Sequence, residues 1–183
     1  MLKLKHKRII LFLIILFIAA IVTLSAVPKK TEQSSEQGVL RKIDGNSMHP
    51  TLKNGQRVLV DYNYYKNHEI KRGDIVVIKF KTRDSEDVKR IIALPNDKII
   101  FGNNSKIYLN GKILEENYIQ GASFRKEDLS VLLKQMAYYN GVLPRGYYLI
   151  LGDNRGASYD STEYGLILGE HIIGKVVSLN VTE

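Results

Sequence analysis

The chain has 183 residues, is 44% hydrophobic and 25% charged, and contains no cysteine, so disulfides, thiol catalysis and zinc–thiolate sites are excluded. That length suits one domain with room for a real core. Six of the 27 basic residues behind the net charge of +8 (Lys3, Lys5, Lys7, Arg8, Lys29, Lys30) fall within residues 1–30, which hold no acidic residue. The remaining 21 face 19 acidic residues, a near-neutral body without the phosphate-facing patch that nucleic-acid binding requires.

Residues 9–27 form an uncharged apolar stretch of 19 residues. As a helix it spans roughly 28 Å, close to the hydrocarbon thickness of a bilayer. The preceding basic residues 1–8 place the N-terminus in the cytoplasm and the rest of the chain outside it. A cleavable signal peptide also begins with a basic segment and an apolar run. This run, however, exceeds the roughly 7–15 apolar residues of such a core, and the small-residue site after Ala26 has the bulky Leu24 at −3. The expectation is an uncleaved single-pass anchor over residues 9–27, with the lipid bilayer as a partner. The polar residues 28–38 read as a linker, and residues 39–183 as an extracytoplasmic body.

That body reads as mainly β. Arg57–Asp61, Asp74–Phe80, Val88–Leu94 and Lys98–Phe101 are short Val- and Ile-rich runs bounded by turn residues. Lys106–Leu109 and Lys112–Leu114 flank Asn110-Gly111, a hairpin signal because both turn residues tolerate positive φ. Leu129, Leu132, Leu133 and Met136 fall at i, i+3, i+4 and i+7, which predicts a helix stopping at Asn140-Gly141 and packing on the sheet, with a membrane-surface or substrate-facing helix as the alternative. Tyr147–Leu151 and Ile172–Asn180 complete the strands. Residues of about 97–146 form a small inserted lobe.

Three segments carry chemistry. In Gly45-Asn46-Ser47-Met48-His49-Pro50-Thr51-Leu52, Ser47 sits in a tight turn that exposes its hydroxyl and aims backbone N–H groups at one point, as an oxyanion hole requires. In Asp87-Val88-Lys89-Arg90-Ile91-Ile92, a strand places Lys89 on the face of Asp87 and Ile91. Burial there would favour a neutral, basic amine, whereas a solvated strand lysine is the plainer reading. Leu151-Gly152-Asp153-Asn154-Arg155-Gly156-Ala157-Ser158-Tyr159-Asp160-Ser161 reads as a structured loop at a site's edge, or simply as a long connection.

These segments, with Arg72-Gly73-Asp74-Ile75-Val76 between the first two, resemble in order the four boxes of bacterial type I signal peptidases. The resemblance implies a signal-peptidase-like catalytic β fold behind one N-terminal transmembrane helix, with a lobe short as in Gram-positive relatives. It also implies a serine endopeptidase of the bacterial plasma membrane that removes signal peptides from exported preproteins after Ala-x-Ala-type sites. Under it, Ser47 is the nucleophile, Lys89 the general base, and Ser158 the residue that hydrogen-bonds and orients Lys89. Asp153, Arg90 and Asp160 brace the site, and Ile43 and Val88 line pockets for small side chains. The backbone N–H of Ser47 serves the oxyanion, while Gly45 stands where some relatives have a hydroxyl. No metal or organic cofactor is implied. Gly156-Ala157 replaces the usual Asp-Asn, and Thr162 stands where Arg is common.

Three other readings compete. A Ser–His–Asp hydrolase would need His49, which is only two residues from Ser47, or His68 or His171, which have no motif context. The related self-cleaving repressor peptidases are cytosolic and carry a DNA-binding module where this chain has an apolar segment. A catalytically idle membrane-anchored adaptor would need neither Ser47 nor Lys89. Arg72-Gly73-Asp74 could be an adhesion tripeptide, but it reads better as a turn opening a strand.

Overall fold

Short β-branched runs separated by positive-φ turn residues leave the chain few options except hairpins, and these build the body. The computed structural model describes residues 38–102, 106–119, 124, 127–179 and 181. The basic N-terminus, the anchor and nearly all of the linker lie outside these residues. Among the described residues, no helix is long and apolar enough to cross a membrane.

Among the described residues, ten strands follow in chain order: β1 Val39–Lys42, β2 Arg57–Asp61, β3 Ile75–Lys79, β4 Glu86–Ala93, β5 Ile99–Phe101, β6 Ile107–Leu109, β7 Lys112–Ile113, β8 Tyr147–Leu151, β9 Ile167–Leu168 and β10 Ile172–Ser178. Seven form one antiparallel sheet in the order β1-β2-β10-β3-β4-β8-β9, and β5-β6-β7 form a small second sheet. The large sheet is curled. Arg41 on β1 reaches to 4.0 Å from Glu86 on β4, although four strand spacings, about 19 Å in a flat sheet, lie between those strands.

The mainly β expectation holds, with differences at short elements. β1 went unpredicted because all four of its residues are exposed and show no alternation, and β9 is only two residues long. Two four-residue helices, α1 (Tyr64–Asn67) and α3 (Ser161–Tyr164), are too short to show a period. Between them in the chain lies α2 (Ser130–Tyr138), preceded by a 3-10 turn at Glu127–Leu129. Leu129, Leu132 and Met136 are buried as their spacing implies, but Leu133 stays exposed. The Asn110-Gly111 turn takes φ values of 54° and 81°, both positive as the hairpin needs.

The region expected as an inserted lobe does not keep its core to itself. Ile99, Ile107, Leu109, Leu132 and Met136 pack in one cluster with Ile92 of β4 and with Leu149 and Leu151 of β8. A second cluster fills the curl between β2, β3 and the Ser47 turn, and a third lies between β3, β4, β8 and β10.

Arg72-Gly73-Asp74 is a turn held by part-buried ion pairs. Gly73 has φ +86°, Asp74 receives Lys175 Nζ at 2.8 Å and the Tyr65 hydroxyl at 3.0 Å, and Arg72 grips both carboxylate oxygens of Asp97 at 3.0 and 2.9 Å. Asp97 also accepts from the Leu94 N–H and the Asn110 amide, each at 2.7 Å. Burial alone would raise its pKa, but the hydrogen bonds from Arg72, Leu94 and Asn110 outweigh it and hold the carboxyl below the usual carboxylate range. Asp97→Ala leaves three donors without their acceptor, and we expect a loss of about 2–3 kcal/mol in urea unfolding at pH 7. Because the folded pKa is depressed, this contribution is complete above the unfolded value of about 3.9 and disappears as pH falls through the folded one. The gap between variant and wild type should therefore narrow in acid.

Candidate active site

The connection from β1 to β2 carries Ser47 in a turn fastened at both ends. Gly45 adopts φ +86°, and its N–H donates to Asn54 Oδ1 at 3.1 Å. Behind Ser47, the His49 N–H bonds the Asn46 carbonyl at 3.1 Å and the Leu52 N–H bonds the Met48 carbonyl at 2.9 Å. Met48 and Leu52 are buried beneath the turn. The loop after β8 clamps it from the other side: the Asn154 N–H donates to the Ser47 carbonyl at 2.9 Å, and its side-chain amide to the Asn46 carbonyl at 3.1 Å. Gly152 is required for this approach, since a Cβ there would overlap both the Ser47 carbonyl oxygen and Ser158 Oγ.

Lys89 extends from the middle of β4, opposite Val76 of β3, and is 3% exposed. Its Nζ lies 3.1 Å from Ser47 Oγ. Among the described residues it forms no ion pair. Burial pushes its pKa below the ordinary lysine value; Asp87 and Asp160 pull it partly back, and Arg83 adds to the lowering. A lysine of this kind, in reach of a serine hydroxyl, can accept that hydroxyl's proton.

The structure brings the expected bracing residues to the same place. Asp153 is fully buried and takes Arg90 in a two-pronged pair, Nε to Oδ1 at 2.9 Å and Nη2 to Oδ2 at 2.7 Å. Arg90 also donates to the Gly73 carbonyl at 3.0 Å. Among the described residues, Asp160 takes no cation. Its carboxylate accepts the Gly152 N–H at 2.8 Å, and the N–H and hydroxyl of Thr162 at 3.0 Å each. Thr162, the residue found in place of an arginine, therefore serves as a neutral partner for a buried carboxylate.

Ser158 departs from expectation. Its hydroxyl is buried over Gly152 with no hydrogen-bond partner among the described residues, and no bond to Lys89 is formed. Ile43 and Val88 line a cavity of about 150 Å³ that also touches Ser47 and Lys89. On the other side of the pair a more open cleft of about 570 Å³ is bordered by Arg83, Ala157, Tyr159 and Tyr164.

Several supports were invisible in the sequence. The Thr51 hydroxyl donates to Asp153 Oδ2, the Tyr118 ring lies 4.1 Å beneath the Arg90 guanidinium, and buried Arg155 pairs with Glu116 while donating to the Gly152 carbonyl at 3.1 Å. Thr51 and Arg155 lie inside the motifs, yet Glu116 and Tyr118 come from an irregular stretch with no local signal. Of the candidate histidines, His68 stacks on Tyr64 and His171 packs against Phe80, while His49 is exposed in the Ser47 turn; none of the three borders these cavities. Among the described residues, no three His, Cys, Asp or Glu side chains converge as metal ligands.

A family model described as "Signal peptidase, peptidase S26" matches residues 6–180. Signal peptidase IB of Staphylococcus aureus is 39% identical over 145 residues, covering 73% of each chain. Signal peptidase I of Bacillus amyloliquefaciens is 37% identical over 134 residues, covering 72% of this chain and 68% of that protein. The crystal structure of a signal peptidase I from Enterococcus faecalis is similar with a TM-score of 0.46 at 25% identity, covering 60% of this chain and 98% of that one.

A depressed lysine pKa is also a stability statement. The unfolded chain binds a proton to Lys89 more tightly than the folded one does, so stability rises with pH between the folded and unfolded values. Lys89→Met, which keeps the apolar stem, should unfold at higher urea concentration than wild type at pH 7. The difference should shrink as pH climbs toward about 10.4.

Proposed function

Since this chain belongs to the signal peptidase family, peptidase S26, and is a serine peptidase, we propose that it removes N-terminal signal peptides from exported preproteins with Ser47 as nucleophile and Lys89 as general base. The observation that carries this reading is the 3.1 Å approach of Lys89 Nζ to Ser47 Oγ, made by a lysine that is 3% exposed. Neutral Lys89 takes the Ser47 proton as the hydroxyl oxygen attacks the scissile carbonyl. The tetrahedral oxyanion is held by the Ser47 N–H, and Lys89 passes its proton to the leaving amine. The resulting acyl-enzyme is hydrolysed by a water that Lys89 deprotonates. Ser158, whose hydroxyl has no partner among the described residues, is available to accept a hydrogen bond from the Lys89 ammonium while it carries that proton.

Pocket size supports cleavage after small residues. The cavity bordered by Ile43 and Val88 is about 150 Å³, suited to the side chains of an Ala-x-Ala site. The apolar run over residues 9–27 supports a single-pass anchor with a cytoplasmic N-terminus, which would hold the body over residues 39–183 at the outer face of the bacterial plasma membrane. A preprotein whose signal helix occupies the same bilayer is then concentrated at the site.

The test is cleavage of a preprotein carrying an Ala-x-Ala site by the full-length, detergent-solubilised protein. Wild type should cut at that site, and Ser47→Ala and Lys89→Ala should each lower kcat by about a thousandfold or more. Activity surviving in Lys89→Ala would mean another base. A folded wild type that cuts none of several preproteins would leave the adaptor reading in its place.

A further inference from the structure

Two cavities meet at one side chain. The 150 Å³ pocket beside Ser47 and Lys89 is lined partly by the apolar side chains of Ile43, Met48, Val60, Val77 and Val88 and partly by charged ones, among them Arg41 and Glu86, and Tyr62 also borders it. The same tyrosine lines a groove of about 760 Å³ together with Tyr65, Ile70, Tyr148, Ile172 and Ile173. Among the described residues, Tyr62 alone borders both spaces. Its ring stands as the partition between a small pocket and a large one.

The partition is fixed from three directions. The Tyr62 hydroxyl donates to Glu86 Oε2 at 2.6 Å and accepts from Arg41 Nε at 2.9 Å, joining β4 to β1 across the open side of the curl. The Arg41 guanidinium lies 5.4 Å from the ring centre. Behind the ring, Gly174 of β10 keeps space clear, since a Cβ there would sit 3.2 Å from Tyr62 Cδ1. Burial raises the Tyr62 pKa and Glu86 raises it further against the opposing Arg41, so the phenol keeps the proton it donates.

We propose that Tyr62 is a specificity-determining residue: its ring, latched by Arg41 and Glu86, closes the pocket beside Ser47 and excludes substrate side chains larger than small aliphatic ones. This rests on the peptidase reading of Ser47 and Lys89 and goes beyond it by naming what sets the size limit. Excluding a side chain by a few methylenes separates substrates by roughly tenfold to a few hundredfold.

The experiment uses the full-length protein and preproteins that differ only at −1 or −3, carrying Ala, Val, Leu or Phe in turn. In wild type, Leu and Phe should be cut at least about tenfold less efficiently than Ala, judged by kcat/KM. Tyr62→Ala should narrow the Ala-to-Leu ratio by about tenfold at one of the two positions, whereas Tyr62→Phe, which keeps the ring and loses only its latch, should narrow it less. Should Tyr62→Ala fail to fold, Tyr62→Leu removes the ring while keeping an apolar cover on Gly174, and the same narrowing is expected. A ratio unchanged in the ring-deleted variant that still cuts the Ala substrate overturns the inference and leaves the Ser47–Lys89 reading intact. A wild type that cuts no preprotein removes that reading, and this one with it.

Discussion

An ammonium moved from water into a protein interior without a counter-ion loses several kcal/mol of solvation, and its proton affinity falls until the neutral amine competes. Lys89 is held in that condition by its place on β4 and by the Ser47 turn closing over it. Asp87 and Asp160 are near enough to temper the shift, but neither forms an ion pair with it. The surrounding architecture can be understood as what is needed to keep this one side chain dry, unpaired and within reach of a hydroxyl.

Keeping it so requires that the Ser47 turn not drift. The turn has little regular structure, so its position comes from outside: Asn154 grips its two carbonyls, Gly152 allows the close approach, and Arg90 fastens Asp153 to the strand that bears Lys89. The Ser47 turn and Lys89 are thus tied through adjacent residues: Arg90, next to Lys89, holds Asp153 by charge-assisted hydrogen bonds, and Asn154, next to Asp153, holds the turn by neutral ones. Glu116 and Arg155 anchor the far side of the same loop. Removing a buried partner from such a network leaves its mate unsatisfied, which is why the rigidity of the site and the stability of the body are linked.

Much of this is legible in the chain, because strands and turns announce themselves by Val/Ile runs and by Asn-Gly. The motifs around Ser47, Asp74, Lys89 and Asp153 also point to one site by their order alone. What stays hidden is non-local or too short. Neither β1, exposed along its length, nor the two-residue β9 has a period to read. The burial of Lys89 depends on a turn 42 residues earlier. The Glu116–Arg155 pair and the Tyr118 platform arise only because an irregular stretch returns to the active-site loop. Thr162 stands out in the sequence as a departure, but its supply of a hydroxyl and an N–H to Asp160, in place of a cation, depends on how the loop folds back. The Ser158 hydroxyl, expected on Lys89, lies instead over Gly152, a rotamer-level detail that no sequence pattern encodes.

The central claim is that Lys89 is poised to be neutral because it is buried, and NMR tests it most directly. Lysine selectively labelled with carbon-13 at Cε, with Lys89→Met to assign its signal, gives a titration curve for this amine in the intact protein. The account predicts a midpoint below the ordinary lysine value of about 10.4, matched by the pH at which kcat/KM rises toward its plateau. A midpoint at or above that value would mean a solvated or ion-paired ammonium, and would contradict the account.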